Sequence, residues 1–259
     1  MPLRRDGQTR KRWRYVGLYT ERLMLCAARA QVGPLSQSFW VLWDRERGEQ
    51  LAHTAMRPGS REVRMDGPSL EIEARGLRAS LTLGAENSPI ETICPSNGGS
   101  GWGWTQKRAG VPIAGTVEIP GRSWQVEGLG VDDQSAGYHQ RRTSWHWSAG
   151  VGSAADGRAL AWNLVEGIND PPRDSERAIW VDGEPYEPAP VRFDGTAAVE
   201  FGEQHGRLEF SAESERARDE NFLLVRSRYR HRFGAFSGSL DGIELATGLG
   251  VMEEHDAVW

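Results

Sequence analysis

Apolar and polar positions alternate one by one along much of this chain, and the 3.6-residue period of an amphipathic helix is almost absent. Leu77, Ala79, Leu81 and Leu83 alternate with Arg78, Ser80 and Thr82, as in a strand with one buried face. Trp162 and Leu164 alternate with Asn163 and Val165, and Phe39 to Trp43 is a short aromatic run. Between such runs stand Asp66-Gly67, Asn97-Gly98, Asp156-Gly157, Asp182-Gly183, Asp194-Gly195 and Asp241-Gly242. These pairs favour tight hairpins because both central residues accept positive φ. Short strands punctuated in this way predict an antiparallel all-β fold, a sandwich or a barrel. The one helix-compatible stretch, Glu213 to Asn221, is charged and has no apolar stripe, so it reads as a loop or a short helical turn.

An internal echo divides the chain. Gly128-Leu129-Gly130-Val131 recurs as Gly248-Leu249-Gly250-Val251, and acidic residues follow each copy: Asp132 and Asp133, then Glu253 and Glu254. The first copy runs on to Tyr138 and the second to Trp259. The copies lie at the middle and the end of the 259 residues, where two similar halves would put them. The organisation expected is a basic tail over 1–12, one β unit over 13–139 and a second over 140–259. Each unit is long enough for a small barrel of about eight strands.

Composition narrows the function. With 11 Trp, 7 Phe and 5 Tyr the chain is not disordered, and a net charge of -5 argues against a general nucleic-acid binder. The basic start, with Arg4, Arg5, Arg10, Lys11, Arg12 and Arg14 against Asp6, reads as a solvated lead-in to a strand. Two distant cysteines, Cys26 and Cys94, are too few for a disulfide scaffold and suit a reducing compartment. No ligand spacing for a metal is present. Leu23 to Ala28 is too short for a membrane span and follows Glu21 and Arg22, unlike a signal peptide, so the expected location is cytoplasmic. No Walker motif appears, and Gly98-Gly99-Ser100-Gly101 lacks the setting of a phosphate loop, so no cofactor is expected.

Four groups could carry chemistry. Lys107 is one of only two lysines among 31 basic residues. Where arginine is the default cation, a lysine suggests a need for a compact ammonium with a tunable pKa; the other reading is a surface lysine beside Arg108. It follows Trp102-Gly103-Trp104, whose two indoles share one strand face. The stretch 131–150 gathers Asp132, Asp133, Tyr138, His139, Arg141, Arg142, Trp145, His146 and Trp147. A carboxylate, an imidazole and a phenol can supply an acid and a base, and a Trp wall would raise a carboxylate pKa. The same residues would also suit a polar crossover with Trp in the core. Asn163, Glu166 and Glu176 form a third group, and Glu253 with His255 a fourth, on one strand face. The stripe Arg226, Arg228, Arg230 and Arg232 could bind an anion, but pairing with Glu200, Glu203, Glu209 or Glu213 accounts for it.

Several segments together resemble the bacterial family known as domain of unknown function 2804. They are Glu91-Thr92-Ile93 with Trp104-Thr105-Gln106-Lys107 and Gly115-Thr116-Val117, then Asp133 with Thr143 to Gly150. Next come Asn163 to Gly167 with Glu176 and Val181-Asp182-Gly183, and last Phe233 to Gly238 with Gly250 to His255. Members of that family usually carry more sequence before the first basic strand. The family is in turn distantly similar to lipocalin-like double-barrel proteins, among them carotenoid 1,2-hydratases and AttH-type proteins. The resemblance implies two calycin-like antiparallel barrels packed side by side. For the enzymatic relatives it implies cofactor-free acid–base chemistry on apolar molecules.

The expected site is therefore a barrel pocket for a small apolar molecule. Trp102, Trp104, Trp145 and Trp147 would line it, and Lys107, Asp133, Tyr138 and Glu166 would carry any proton transfer. Arg142, Asn163, Glu253 and His255 complete the expected ligand contacts. Hydration, cyclisation or isomerisation in that pocket, binding without turnover, and a carbohydrate-active groove all remain open.

Overall fold

A computed structural model describes residues 1–56, 60–96, 99–222 and 225–258, with the backbone alone at 203, 204, 222 and 225. The Asn97-Gly98 turn, the Glu203 side chain and Trp259 lie outside the described residues. The chain opens on a small hairpin, β1 (Arg4–Arg5) and β2 (Gln8–Thr9). The basic start is thus a structured lead-in, and Tyr138 Oη ties it down by donating to Pro2 O at 2.8 Å.

The first sheet contains β3 (Lys11–Tyr19), β4 (Leu23–Val32), β5 (Leu35–Asp44), β6 (Glu49–Ala55) and β7 (Val63–Asp66). It continues with β8 (Ser69–Ala74), β9 (Leu77–Leu83), β10 (Ile90–Ser96), β11 (Gly101–Ile119) and β12 (Arg122–Gly137). The second sheet has β13 (Arg142–Ala154), β14 (Ala159–Glu166), β15 (Ala178–Val181), β16 (Glu184–Tyr186) and β17 (Val191–Asp194). It then has β18 (Ala198–Phe201), β19 (Arg207–Phe222), β20 (Val225–Leu240) and β21 (Ile243–Val258), with a helical turn α1 (Gly202–His205) after β18.

All pairings are antiparallel, and the two sheets share one strand order. The first runs β6-β5-β4-β3-β12-β11-β9-β8-β7, the second β16-β15-β14-β13-β21-β20-β19-β18-β17. The long β19 takes the place of both β9 and β10, which pair with opposite halves of β11. Each sheet curls on itself: β7 returns against β4 and β5, and β17 lies against β14. Nine and ten strands, rather than eight, form the two curled sheets among the described residues.

Each curl encloses an apolar core. Leu18, Leu25, Leu42, Ile72, Leu81 and Trp124 fill the first; Leu160, Trp162, Leu164, Phe201, Leu208 and Phe236 fill the second. A third cluster draws on both sheets. Tyr15, Cys26, Ala28, Phe39 and Val131 meet Trp147, Ala149, Val165, Phe233 and Val251 in a seam between the barrels. Alternation along β3, β4, β13 and β14 thus feeds both a barrel core and the seam.

The Gly-Leu-Gly-Val echo falls on equivalent central strands. Gly130 on β12 and Gly250 on β21 lie where the sheet is too tight for a side chain. A Cβ at Gly130 would come within 1.9 Å of Gly17 O, and one at Gly250 within 2.2 Å of Ala149 O. Of the Asp-Gly turns, Asp182-Gly183 and Asp241-Gly242 have positive φ at both residues, as two-residue hairpins require.

Two expectations need correction. Glu213–Asn221 is neither loop nor helix but part of β19, because pairing with β20 outweighs its weak local preference. The acidic partners expected for the β20 arginines are also different. Arg232 pairs with Glu215, while Glu213 binds Arg45, and Glu200 and Glu209 flank Arg207.

Gly250→Val should therefore destabilise the protein by about 3 kcal/mol or more, since backbone has to move to admit it. Exposed Gly202, with nothing within 4 Å of a Cβ, should tolerate alanine within about 0.5 kcal/mol. Urea denaturation of both variants checks this contrast.

Candidate active site between the barrels

The main cleft opens in the seam, not inside either barrel. It holds about 840 Å³ not filled by protein, part of it open to solvent. Trp13 and Tyr15 from β3 face Trp145 and Trp147 from β13, with Val165 and Ile168 beside them. Both strands present odd-numbered residues to the cleft, which is why the Trp-x-Tyr and Trp-x-Trp pairs form opposing walls.

Lys107, Asp133 and Glu176 lie deep in this cleft and are 4%, 8% and 3% exposed. Lys107 Nζ is 2.6 Å from Asp133 Oδ1 and 3.3 Å from Glu176 Oε2. Strand register fixes the first pair, since Lys107 stands directly opposite Asp133, and Asp133 opposite Tyr15. Glu176 arrives from the other sheet, on the connection from β14 to β15. β10 holds that connection in place. Thr92 Oγ1 donates to Asp174 O at 2.6 Å, and the Cys94 thiol lies 3.5 Å from Asn169 O. Buried Arg177 braces it further by donating to Asp170 O and Pro171 O. Asn169 Nδ2 donates to Glu176 Oε2 at 2.9 Å, and Asn163 Nδ2 donates to Glu176 O at 2.8 Å.

The electrostatics follow from burial. Desolvation pushes the Asp133 carboxyl up, Lys107 pulls it down and Glu176 pushes it up again, leaving it at about 6. Burial also works against the Lys107 ammonium, but Asp133 and Glu176 outweigh it and hold its pKa above the ordinary lysine value. His139, which also lines the cleft, is pushed down to about 4 by burial and by Lys11 and Lys107. Its imidazole is neutral at pH 7. Burial lowers Lys11, at the cleft's other end, to about 8.

The pseudo-symmetry of the sheets extends to this row. Ala109–Val131–Gly17 is matched by Phe233–Val251–Ala149, so two residues further on Lys107–Asp133–Tyr15 is matched by His231–Glu253–Trp147. The two rows touch: Tyr15 Oη is 3.0 Å from His231 Nε2, and its ring meets Trp147 edge-on at 5.1 Å. His231 is pushed down to about 4 by burial and is neutral as well.

The structure brings together Lys107, Asp133, Trp145, Trp147 and Glu253 in the cleft. Asn163 lies just behind it, accepting from Trp147 Nε1 at 2.8 Å. His255 is behind Trp145, with ring centroids 4.2 Å apart, and joins Glu253 in a smaller neighbouring cavity. The remaining candidates lie elsewhere. Trp102 and Trp104 are on the even-numbered face of β11, opposite Lys107, and Trp102 packs on Tyr138. Tyr138 is committed to Pro2. Glu166 points to the second barrel and accepts from Phe193 N at 2.9 Å. Arg142 is exposed beside Asp256.

Lys11, Trp13 and Tyr15, which the sequence did not single out for the site, also line the cleft, as does Glu176, which the sequence grouped with Asn163 and Glu166. The aromatic spacing at 13–15 matches that at 145–147, and this was the available signal for the first wall. Among the described residues no group of three His, Cys, Asp or Glu side chains is placed to hold a metal. No helix there is long and apolar enough to cross a membrane.

Residues 50–259 match the family described as Domain of unknown function (DUF2804). The chain belongs to this family. No curated protein matches it. Among solved structures it is similar to a protein assigned as AttH from Nitrosomonas europaea, with a TM-score of 0.64 at 15% identity over 95% of this chain and 92% of that one. Kievitone hydratase from Nectria haematococca gives a TM-score of 0.57 at 11% identity, covering 96% of this chain and 88% of that one. CghA gives 0.51 at 10% identity, over 96% and 87%. At these identities the likeness concerns the fold: this family member has the lipocalin-like double-barrel architecture.

Removing the ammonium should leave two buried carboxyls without their cation. Lys107→Met is expected to cost about 3–5 kcal/mol, and Asp133→Asn in the same chain should recover part of that loss. Because the folded Asp133 carboxyl, at about 6 against 3.8, keeps its proton to higher pH than in the unfolded chain, stability should fall as pH rises between about 4 and 6. Asp133→Asn should flatten that slope, as read by urea midpoints at successive pH values.

Proposed function

We propose that the cleft binds a small, largely apolar molecule and moves a proton on it, with Asp133 as the acid–base group. The observation that carries this reading is a Lys–Asp–Glu cluster buried at the end of an indole-walled cleft. Such a cluster is costly to bury, and a carboxyl whose pKa is near 6 holds a transferable proton close to neutrality.

The chemistry that fits is addition, cyclisation or isomerisation at a carbon–carbon double bond. The Asp133 carboxyl gives its proton to an olefinic carbon. In hydration, water oxygen bonds to the adjacent carbon, and the proton that water loses restores the carboxyl. Trp145 and Trp147 line the space in which positive charge would develop, and aromatic rings stabilise such charge. Lys107 holds the carboxylate in place between turns, and Glu176, fixed by Asn169, holds Lys107. A hydratase, kievitone hydratase, is among the proteins with the same fold, and this is in keeping with that class of reaction.

A second reading, binding without turnover, is favoured by the completeness of the ion cluster, in which Lys107 already bridges both carboxylates. Deuterium separates the two. Prenylated phenols, terpenoid olefins and polyketide enones incubated with the protein in D₂O should include one that gains carbon-bound deuterium, read by mass spectrometry. The rate should decline above pH 6, as the Asp133 carboxyl loses its proton, and fall at least 100-fold in Asp133→Asn. Ligands that quench Trp fluorescence yet gain no deuterium at any pH from 5 to 8 would leave only the binding reading.

A further inference from the structure

The arginine stripe of β20 has an inner face. Arg226, Arg228 and Arg230 are exposed, while between them Ser227 is half-buried and Tyr229 buried. Ser227 and Tyr229 line the smaller cavity beside the main cleft, together with His255 and Glu253 from β21. This cavity holds about 560 Å³ not filled by protein, part of it open to solvent. Met56, 43% exposed, and half-buried Gln37 and Ser227 lie toward its mouth; Glu253 and His255, each 5% exposed, lie at its floor. Trp13, Phe39 and Met56 make its walls largely apolar.

Strand register assembles a nucleophile, a base and an acid there. Tyr229, His255 and Trp145 stand opposite one another on β20, β21 and β13, and the imidazole lies between the other two rings, 5.6 Å from Tyr229 and 4.2 Å from Trp145. Ser227 stands opposite Ala257, so it is a diagonal neighbour of His255. Its Oγ is 2.9 Å from His255 Nε2. On the far side of the ring, His255 Nδ1 is 3.7 Å from Glu253 Oε1, an ion-pair separation. Trp145 Nε1 donates to the same carboxylate oxygen at 3.1 Å and so holds it beside the ring. With the Ser227 hydroxyl donating to Nε2, the ring's hydrogen is on Nδ1 and points toward Glu253.

We propose that Ser227, His255 and Glu253 form a second reaction site, which hydrolyses uncharged esters with a short apolar acyl chain. Ser227 Oγ bonds to the ester carbonyl carbon as His255 Nε2 takes its proton. The bond from that carbon to the leaving oxygen breaks, and the alcohol departs with the proton from His255. Water then attacks the acyl-serine, giving its proton to His255. The acid leaves as that proton returns to Ser227 Oγ. Glu253 is a positioning residue: it keeps hydrogen on Nδ1 and stabilises the imidazolium, and their separation shortens as charge develops. Gln37, on the same cavity, is the candidate donor to the carbonyl oxygen as it becomes anionic. The acyl chain packs against Trp13, Phe39 and Met56.

A fluorophosphonate probe tests the nucleophile in the wild-type protein itself. It should label one residue, mapped by peptide mass spectrometry to Ser227. With 4-nitrophenyl butyrate as substrate, Ser227→Ala and His255→Gln should each lower kcat/KM at least 100-fold and abolish labelling, with urea midpoints close to wild type for Ser227→Ala. Glu253→Gln, which can still accept from Trp145, should lower kcat tenfold or more at unchanged KM, a split that loosened packing would not give. Label on another residue, or wild-type hydrolysis no faster than that of Ser227→Ala, would overturn the proposal and leave the reading of the main cleft untouched.

Discussion

Strand alternation governs this molecule, because β3, β4, β13 and β14 each serve two interiors. Along β14, Leu160, Trp162 and Leu164 fill the second barrel, whereas Ala161, Asn163 and Val165 face the seam. Along β3, Val16 and Leu18 fill the first barrel and Tyr15 enters the seam. Neither barrel can therefore be slipped by one residue without turning its core out and its seam in. The seam buries apolar side chains of both sheets, and its cleft brings residues of both sheets together around one buried ion cluster.

The pseudo-repeat explains why the cleft is chemically one-sided. Equivalent rows carry Lys107–Asp133–Tyr15 in one half and His231–Glu253–Trp147 in the other. The difference lies in the cation and in what buttresses it. On the first side a permanent ammonium is clamped by two carboxylates, the second supplied across the seam. On the other side burial leaves His231 neutral, and it engages Tyr15. β10, which has no separate counterpart in the second sheet, clasps the connection that carries Glu176. A departure from symmetry in the sheets thus has a direct consequence for the site.

Much of the fold was legible because it rests on local signals: period-two alternation, Asp-Gly turns and a Gly-Leu-Gly-Val echo whose glycines answer backbone crowding. Asp133 and Glu253 follow the echo copies at equal distance, so their equivalence could be read as well. Lys107 stood out by rarity, but its rarity hid its parity. Counting by twos from Lys107 leads to Thr105 and Gly103, not to Trp104 and Trp102, and so separates the lysine from the indoles beside it. Parity also sends Glu166 with Trp162 and Leu164 toward the second barrel. Glu176 was beyond such counting, since it lies outside any strand and its position is set by contacts with β10 from 80 residues away. Lys11 was obscured by its arginine neighbours, which made the start of the chain look like a tail.

The central claim is that a proton moves on and off Asp133 near neutrality, beside a lysine that stays charged. A chain with two lysines makes this directly observable. Protein labelled with 15N at lysine Nζ should give two ammonium resonances, assigned by Lys11→Arg. The Lys107 signal should remain that of an ammonium from pH 4 to 8 and shift with a midpoint near 6 as the carboxyl 2.6 Å away ionises. That titration should vanish in Asp133→Asn. A Lys107 resonance that is flat across this range in the wild-type protein would contradict the account, because Asp133 would then be permanently ionised and have no proton to give.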